Sequence, residues 1–328
     1  MTAANILPEA ARRRARDVRY FGGTWDQVRT MIPAFELRAF ATEADAPANP
    51  FLKSVVRLPL NPTERAMPVG VVSNSYALVQ HETVGKLCLD GMGKAGIEVA
   101  DLKCEVGLSD FGEWMNLRVY FPRMFNFIPG DGYPLKLRIE AFNSVDGTSR
   151  LKVLLGWFRL VCSNGLVIGK SVVEIKDIHD ENLDLTCIAD VIRSGAIKAD
   201  SEKRRLRVWY EHEVIPGMVI DWADDVVAVR WGKKAATRVI GICATGNDVE
   251  PADPFAPGKP SEKSVRIVGA VPGAPRTASN LYDVSQALSW VATRRDNAEQ
   301  RIEWQQDIPW LIGKLRTFDA PAVGSRGA

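Results

Sequence analysis

The sequence lacks the marks of a membrane, secreted or disulfide-bonded protein. No apolar run approaches the ~20 residues that cross a bilayer, and residues 1–20 contain no apolar core ahead of a cleavage site. The five cysteines are scattered and form no Cys-x-x-Cys pair, which is typical of reduced thiols rather than of a disulfide framework or a zinc site. These absences predict a cytoplasmic protein with no membrane partner.

Common catalytic signatures are absent as well. There is no P-loop, no Gly-x-Gly-x-x-Gly after a strand and no serine-centred elbow, so an ATPase or a dinucleotide enzyme is disfavoured. Only three histidines could serve as bases: His81, His179 and His212. We interpret His81, near the start of a predicted helix, as a satisfied or exposed histidine rather than a catalytic base. We expect no cofactor and no metal, and we favour a role without a covalent reaction.

The composition is that of a soluble globular protein, with 46% hydrophobic and 25% charged residues. A net charge of +2 neither demands nor excludes nucleic acid as a partner, so local charge placement must decide. The N-terminal segment carries a run of arginines that is either a solvated arm or an arm attracted to phosphates. These residues are Arg12, Arg13, Arg14, Arg16 and Arg19.

Changes in composition divide the chain into five segments. Residues 245–278 are rich in Pro, Gly and Ala and lack periodicity, which predicts a long loop or linker. Helical spacing resumes after this stretch. The predicted segments are a basic N-terminal arm and lead-in (1–50), an α+β core domain (51–244), the loop or linker (245–278), C-terminal helices packing on the core (279–317) and a disordered tail (318–328).

Helix and strand patterns alternate within the core. Apolar residues recur at helical spacing from Leu78 to Ala95, and Gly96 suits the C-terminal cap. Strand patterns occur at Ser54–Leu60, Pro68–Val72, Leu102–Val106, Trp114–Phe121, Pro134–Phe142, Leu151–Val161 and Leu166–Ile175. A helix followed by several antiparallel strands predicts an α+β fold: a central antiparallel sheet with flanking helices and a C-terminal helical segment.

The stretch GWFRLVCSNGLVIGK, residues 156–170, admits two interpretations. A nucleophilic Cys162 would need a low-pKa setting and a neighbouring base. Asn164 and Gly165 both tolerate positive φ, which a tight turn between two strands requires. We interpret the stretch as a hairpin with Cys162 as a small packed side chain.

The surrounding segment NSVDGTSRLKVLLGWFRLVCSNGLVIG, residues 143–169, resembles the central signature of the phage/plasmid-like family, a domain of unknown function numbered 932. Val145 stands where that family usually has histidine, so a chemical task of that histidine would be lost here. Residues 70–84 and 280–294 are also similar to family segments, and the resemblance covers roughly residues 50–317. The matching signature residues are Asn143, Ser144, Asp146, Gly147, Thr148, Arg159, Leu160, Val161, Cys162 and Asn164.

The resemblance implies a setting rather than an activity. Members of the family occur in phages, plasmids and other mobile elements, which implies a role in DNA metabolism or in interference with the host. Three functional hypotheses therefore stay open.

The first hypothesis is an accessory protein of mobile elements that binds single-stranded DNA and anneals strands during recombination. Such a protein needs cations along the backbone path and aromatic rings on which bases stack. Trp157, Phe158 and Tyr210 lie among basic residues, but we favour packing over base stacking for Trp157 and Phe158. The candidate binding residues are Arg138, Arg150, Lys152, Arg159, Lys170, Lys203, Arg204, Arg205, Arg207, Trp209, Lys233, Lys234 and Arg238.

The second hypothesis is a Mg²⁺-dependent nuclease. Glu174 and Lys176 resemble the Glu-x-Lys strand of such enzymes, and Asp146 is a candidate upstream ligand. The pattern also arises by chance on amphipathic strands. A further acidic group matches no defined metal-site spacing and suits an exposed turn: Asp177, His179, Asp180 and Glu181.

The third hypothesis is a protein-interaction module, either one that binds a host protein or one that forms a homo-oligomer. Nine tryptophans and a Pro-rich loop are compatible with it, but interface and core aromatics look alike in sequence. The signature also has two interpretations. Asp146-Gly147 makes a structural turn whose backbone Asn143 and Ser144 bond, or it presents Asn143, Asp146 and Arg150 at one sheet edge.

Overall fold

The computed structural model describes residues 18–41, 46–130, 132–159, 165–174, 185–251, 265–295 and 298–318. Within them, helices and three antiparallel sheets are followed by a C-terminal helical segment, which confirms the predicted α+β fold. The chain divides into two compact units. The first comprises Met1–Asn126, Lys136–Gly156 and Lys170–Ala199, and the second comprises Phe127–Leu135, Trp157–Gly169 and Asp200–Ala328.

A six-stranded sheet is built from one strand near the N-terminus and five from the middle of the chain. Its order is β1 (Val18–Gly23), β5 (Cys104–Ser109), β6 (Trp114–Tyr120), β7 (Leu135–Ser144), β8 (Lys152–Arg159) and β9 (Gly165–Glu174). The strands β8 and β9 are neighbours, as the hairpin interpretation requires, but their connection, with Cys162 and Asn164, lies outside the described residues.

A three-stranded sheet has the order β2 (Phe35–Ala39), β3 (Leu52–Arg57) and β4 (Met67–Ser73). Phe35, Val55 and Val72 from its strands form a buried apolar cluster with Tyr76 and Val145. The segment predicted as a basic arm and lead-in, 1–50, thus contains β1 and β2. The strand β1 pairs with β5, more than eighty residues along the chain, whereas β2 pairs with β3, the next strand, and the pattern of a single strand reveals neither partner.

Two helices of the first unit cover the apolar side of the six-stranded sheet. The short α1 (Trp25–Val28) places Trp25 against Gly85 of α2 (His81–Lys94), where a Cβ would lie 2.0 Å from the indole ring. Only glycine permits this close approach. The helix α2 packs on β6 with buried apolar side chains, and α3 (Thr186–Glu211) begins in the same unit, with Ala189 against Gly91.

The second unit is mainly helical. It contains α4 (Pro216–Trp222), a π-helical segment (Ala223–Val227), α5 (Ala228–Trp231), α6 (Lys233–Thr245), α7 (Leu281–Thr293) and α8 (Ala298–Arg316). The helix α7 is buried on nearly all sides, as expected for a central core helix. Asp248 joins two elements of this unit, because it accepts hydrogen bonds from Arg238 and from the Trp290 indole.

The predicted loop over 245–278 is corrected in part. It contains β10 (Asn247–Pro251) and β11 (Val265–Ala270), which pair in an antiparallel two-stranded sheet. The strand β11 leaves most of its side chains exposed, so it lacks the half-buried alternation by which a strand is usually found. In the described part of the chain, no helix is long and apolar enough to cross a membrane.

Candidate functional site

The signature turn is built around the carboxylate of Asp146. Its Oδ1 accepts hydrogen bonds from the Thr148 backbone N–H at 3.1 Å, from the Thr148 hydroxyl at 2.7 Å and from the Ser144 hydroxyl. Gly147 follows with φ of 75°, a conformation that glycine adopts without strain. Asp146 thus caps a tight turn, while Gly70 approaches it so closely that a Cβ there would lie 2.7 Å from the Asp146 Cβ.

Hydrogen bonds of the Asn143 side chain connect the end of β7 to the start of α2. Its Nδ2 donates to the Val79 carbonyl and to His81 Nδ1, both at 2.9 Å, and His81 Nε2 donates to the Gly112 carbonyl at 2.8 Å. Both side chains are fully buried. His81 is therefore a satisfied core histidine, and Asn143 bonds the start of α2 rather than the turn backbone.

Val145 lies in the apolar cluster of the three-stranded sheet and is fully buried. The hydroxyl of Tyr76 donates to its carbonyl at 3.1 Å. An apolar side chain suits this position.

The basic residues predicted on α3 differ in exposure: Lys203 and Arg205 are partly buried, whereas Arg207, like Arg204, is exposed. Arg205 pairs with Glu202 at 2.5 Å and lies 5.1 Å from the Trp209 ring centroid, while Arg207 lies 5.7 Å from that of Phe127. Arg204, Lys233 and Lys234 are exposed.

Two predicted contact residues, Trp209 and Lys152, are corrected because they are buried, and the burial of Trp157 supports its interpretation as a packing residue. Trp157 is fully buried, with Lys203 5.6 Å from its ring centroid, and Trp209 and Lys152 are nearly so. None of the three presents a surface for bases or phosphates in this structure. Arg150 is partly exposed. The side chains of Phe158, Arg159, Lys170 and Glu174 lie outside the described part of the chain, as do Lys176, Asp177, His179, Asp180 and Glu181 in their entirety.

Of the predicted residues, Arg138 leads to a larger site, which we call the polar face. Register across the strands places alternate side chains on one side of the six-stranded sheet. The polar face consists of Tyr20 on β1, Glu105 on β5, Asn116, Arg118 and Tyr120 on β6, and Lys136, Arg138 and Glu140 on β7, with Lys103 beside it.

Glu140 is the centre of this network. Its carboxylate accepts hydrogen bonds from Arg138 at 2.7 Å, Arg118 at 3.1 Å and Asn116 at 3.2 Å. Burial alone would raise the pKa of Glu140, but the attraction of Arg138 and Arg118 outweighs it and lowers the pKa to about 2. The carboxylate is therefore charged at neutral pH and holds both guanidinium groups in place.

Glu105 holds the neighbouring group. It accepts a hydrogen bond from the Tyr120 hydroxyl at 2.9 Å and pairs with Lys103 at 2.8 Å. Burial opposes ionisation, but the hydrogen bonds from Lys103 and Tyr120 lower the pKa of Glu105 overall. Around the Tyr120 ring, three cations lie 5.1 to 5.8 Å from its centroid: Lys103, Lys136 and Arg138.

Tyr20 lies across Gly107 on the adjacent strand. A Cβ on Gly107 would come within 2.6 Å of the Tyr20 ring, so the absent side chain makes room for it. The Tyr20 hydroxyl donates to Asn116 at 3.3 Å, and the Arg118 guanidinium lies 4.9 Å from the ring centroid. The Tyr20 residue remains 41% exposed, so the site combines a partly accessible ring with ordered cations.

The polar face can bind an anion that also carries flat apolar groups. Four cations, Lys103, Arg118, Lys136 and Arg138, outnumber the carboxylates of Glu105 and Glu140 by two. Cations attract phosphates, and tyrosine rings offer stacking surfaces. Within the described residues, no group of three or more histidines, cysteines and carboxylates is arranged to hold a metal ion. Burial raises the pKa of the Cys88 and Cys104 thiols to about 12, so neither is an activated nucleophile.

Sequence reasoning found Arg138 but missed its partners. The signal was the alternation within β6 and β7, which puts Asn116, Arg118 and Tyr120 on the same side as Arg138 and Glu140. Aligning these two antiparallel strands in register would have predicted that the residues share one side of the sheet. Tyr20 carried no such signal, because its pairing partner lies more than eighty residues away.

The comparison with protein families matches residues 68–245, more than half of the chain, to the family described as Domain of unknown function (DUF932). The chain belongs to this family. The match includes the signature turn, β6, β7 and all of α2 to α6, whereas β1 and Tyr20 precede it. No curated protein and no solved structure matches the chain.

Proposed function

We propose that this protein binds single-stranded DNA on the polar face, as an accessory protein of phages or plasmids that brings complementary strands together during recombination. One observation carries the proposal: tyrosine rings and cations from β1, β6 and β7, with Lys103 just before β5, lie on one face of the same sheet. Single-strand binding surfaces combine these two elements, a basic path for the backbone and rings for the bases. Stacking does not read base identity, which suits annealing of any sequence.

The ion pairs within the polar face determine the expected affinity for DNA and its salt dependence. Glu140 partly neutralises Arg118 and Arg138, so these arginines contribute orientation and stacking more than net charge. Lys103 is well exposed and Lys136 partly so, and both are better placed to meet phosphates. We therefore expect moderate affinity with a shallow salt dependence.

The test is fluorescence anisotropy of a labelled oligonucleotide longer than ~16 nucleotides, the upper site size of a small binding fold, over a salt series with duplex competitor. Tyr20→Ala should weaken binding about 5- to 100-fold through lost stacking. Lys103→Ala and Lys136→Ala should each reduce the slope of log affinity against log salt by ~0.7, one phosphate contact on single strands.

Matched controls locate the site. Lys86→Ala removes an exposed lysine of α2 outside the polar face and should leave binding unchanged. The double variant Lys233→Ala, Lys234→Ala tests whether DNA binds to the helical second unit instead. If it abolishes binding while Tyr20→Ala does not, the polar face is not the binding site. Absence of binding at low salt would refute the proposal as a whole.

A second candidate, a protein-interaction module, is favoured by a different observation. The strand β11 exposes Val265, Ile267 and Val268, and exposed apolar strands are frequent pairing surfaces for other chains. Light scattering of the purified protein checks self-association: Ile267→Lys should lower the mass of an oligomer formed through β11. An unchanged mass would remove β11 from consideration as the contact between copies.

A further inference from the structure

A pocket in the first unit, the Arg57 pocket, lies on the other side of β1 from the polar face. It has a volume of about 170 Å³ and is lined by Arg57 of β3, Arg19 of β1, the hairpin residues Asp110 and Phe111, and the side chains of Met31 and Leu60. Arg19 pairs with Leu108 and precedes Tyr20, so alternation along β1 separates the two sites. The inference therefore does not rest on DNA binding.

Arg57 is the most buried of the charged residues that line this pocket. Its Nη2 donates to Glu64 at 2.9 Å, and its side chain is 17% exposed. Its Nε is buried and has no hydrogen-bond partner among the described residues. Buried polar groups normally have partners, so a ligand oxygen on Arg57 would supply the acceptor that this donor lacks after a small shift of the side chain.

The charge balance disfavours a ligand with two negative charges. Arg57 is paired with Glu64, and Arg19 lies 3.4 Å from Asp110. Two cations and two carboxylates leave no net charge, so a phosphate dianion gains little long-range attraction here. A monocarboxylate needs only the fork of one guanidinium group, whose geometry it matches.

Most of the other lining side chains are apolar, and three of them are accessible. Met31, Leu60 and Phe111 are 41%, 44% and 50% exposed, although side chains of these types are usually more buried. A cavity of ~150 Å³ holds a benzene ring, so this volume accommodates one aryl or branched alkyl group. Covering these side chains would remove apolar surface from water, which stabilises the complex.

We propose that the Arg57 pocket binds a monocarboxylate carrying one aryl or branched alkyl group, either as a free acid or as the C-terminal residue of a peptide. The carboxylate lies on Arg57, and the apolar group contacts Met31, Leu60 and Phe111. Both sources present the same chemistry to the pocket.

Calorimetric titration of the full chain tests this with phenylacetate and N-acetyl-phenylalanine, against N-acetyl-phenylalanine amide and phenyl phosphate. The carboxylates should bind at least 10-fold more tightly than the amide and the phosphate. A tetrapeptide ending in phenylalanine separates the sources: tighter binding than phenylacetate identifies a chain end, and weaker binding identifies a free acid. Phenyl phosphate binding as tightly as phenylacetate, or no carboxylate binding at millimolar concentration, would overturn the proposal.

Variants locate the site and guard against loss of folding. Arg57→Met should reduce carboxylate affinity at least 10-fold, whereas Arg65→Met, an exposed neighbour outside the pocket, should not. Phe111→Ser alters an exposed side chain and should weaken the aryl acids several-fold in a folded protein, as circular dichroism would confirm. Glu64→Gln removes the competing carboxylate and should strengthen binding. An effect of Arg65→Met equal to that of Arg57→Met would place the ligand elsewhere.

Discussion

The two sides of β6 differ in chemistry although the same strand builds both. On one side Met115, Leu117 and Val119 are fully buried, and removal of their area from water contributes about 25 cal/mol per Å². On the other, Asn116 and Arg118 share the carboxylate of Glu140. Desolvation of charges offsets much of their attraction, so such a layer adds little net stability. The apolar side accounts for folding, and the polar side calls for a functional explanation.

The largest expected effect is a loss of stability when the apolar side of β6 is altered. Leu117→Ala removes a fully buried side chain and should lower the free energy of unfolding by about 2–5 kcal/mol. Urea denaturation followed by circular dichroism measures it. Tyr20→Ala on the polar face is the counterpart and should cost less, because Tyr20 is already partly exposed. Equal losses for both variants would contradict the division of roles.

The centre of the polar face should be the next most sensitive position. Glu140→Gln keeps the side-chain shape but leaves Arg118 and Arg138 without their shared counter-charge. We expect a loss of about 1–3 kcal/mol, the range for buried polar partners left unsatisfied. The control Glu36→Gln breaks an exposed pair with Arg38 and should cost less than ~1 kcal/mol. A smaller loss for Glu140→Gln than for the control would show that the network is dispensable.

Low pH should weaken the stabilising contribution of Glu140. The pKa of Glu140 is lowered from 4.5 to about 2 on folding, so its stabilising contribution is complete above the unfolded pKa and falls as the pH drops from about 4.5 to 2. Unfolding experiments at several pH values should show a steeper loss over this window for the natural chain than for Glu140→Gln. Parallel pH profiles for the two proteins would assign the acid sensitivity to other carboxylates.

The smallest expected loss of stability concerns Gly107, against which the Tyr20 ring lies. A methyl group on Gly107 would lie 2.6 Å from the Tyr20 ring, and since this ring is partly exposed and can move, Gly107→Ala should cost only about 1 kcal/mol, the low end for overpacking. Single-strand affinity should fall more clearly, because the ring leaves its position. Gly93→Ala on α2 has nothing within 4 Å and should instead stabilise by ~0.5–1 kcal/mol. Unchanged affinity in Gly107→Ala would show that the position of Tyr20 is unimportant.

The sequence predicted those parts of the fold whose signals are local. The periodicity from Leu78 to Ala95 corresponds to α2, and strand patterns preceded by turn residues correspond to β5 to β9. The strand β1 was missed because its pairing with the distant β5 makes it a strand, and β2, which pairs with the next strand β3, because it is only five residues long. The strands β10 and β11 were missed because β11 is mostly exposed.

The candidate site was predicted less completely than the fold. Arg138 was found as a basic residue on a strand, but its partner Glu140 and the ring beside it depend on register between strands. Single-chain composition also could not distinguish Trp209, which is buried on α3, from an exposed ring. Basic and aromatic residues that are near each other in the sequence predict a binding site less well than polar residues that alternate in register on two neighbouring strands.

The pairing of β1 with β5 also bears on the order in which the chain is made. Residues 18–23 are synthesised early but find their partner only after residue 109 has been added. At ~5–20 residues per second, this strand waits several seconds for its partner. During that interval Tyr20 has no Gly107 to lie across, so the polar face is completed only when its first-made strand is joined to a later one.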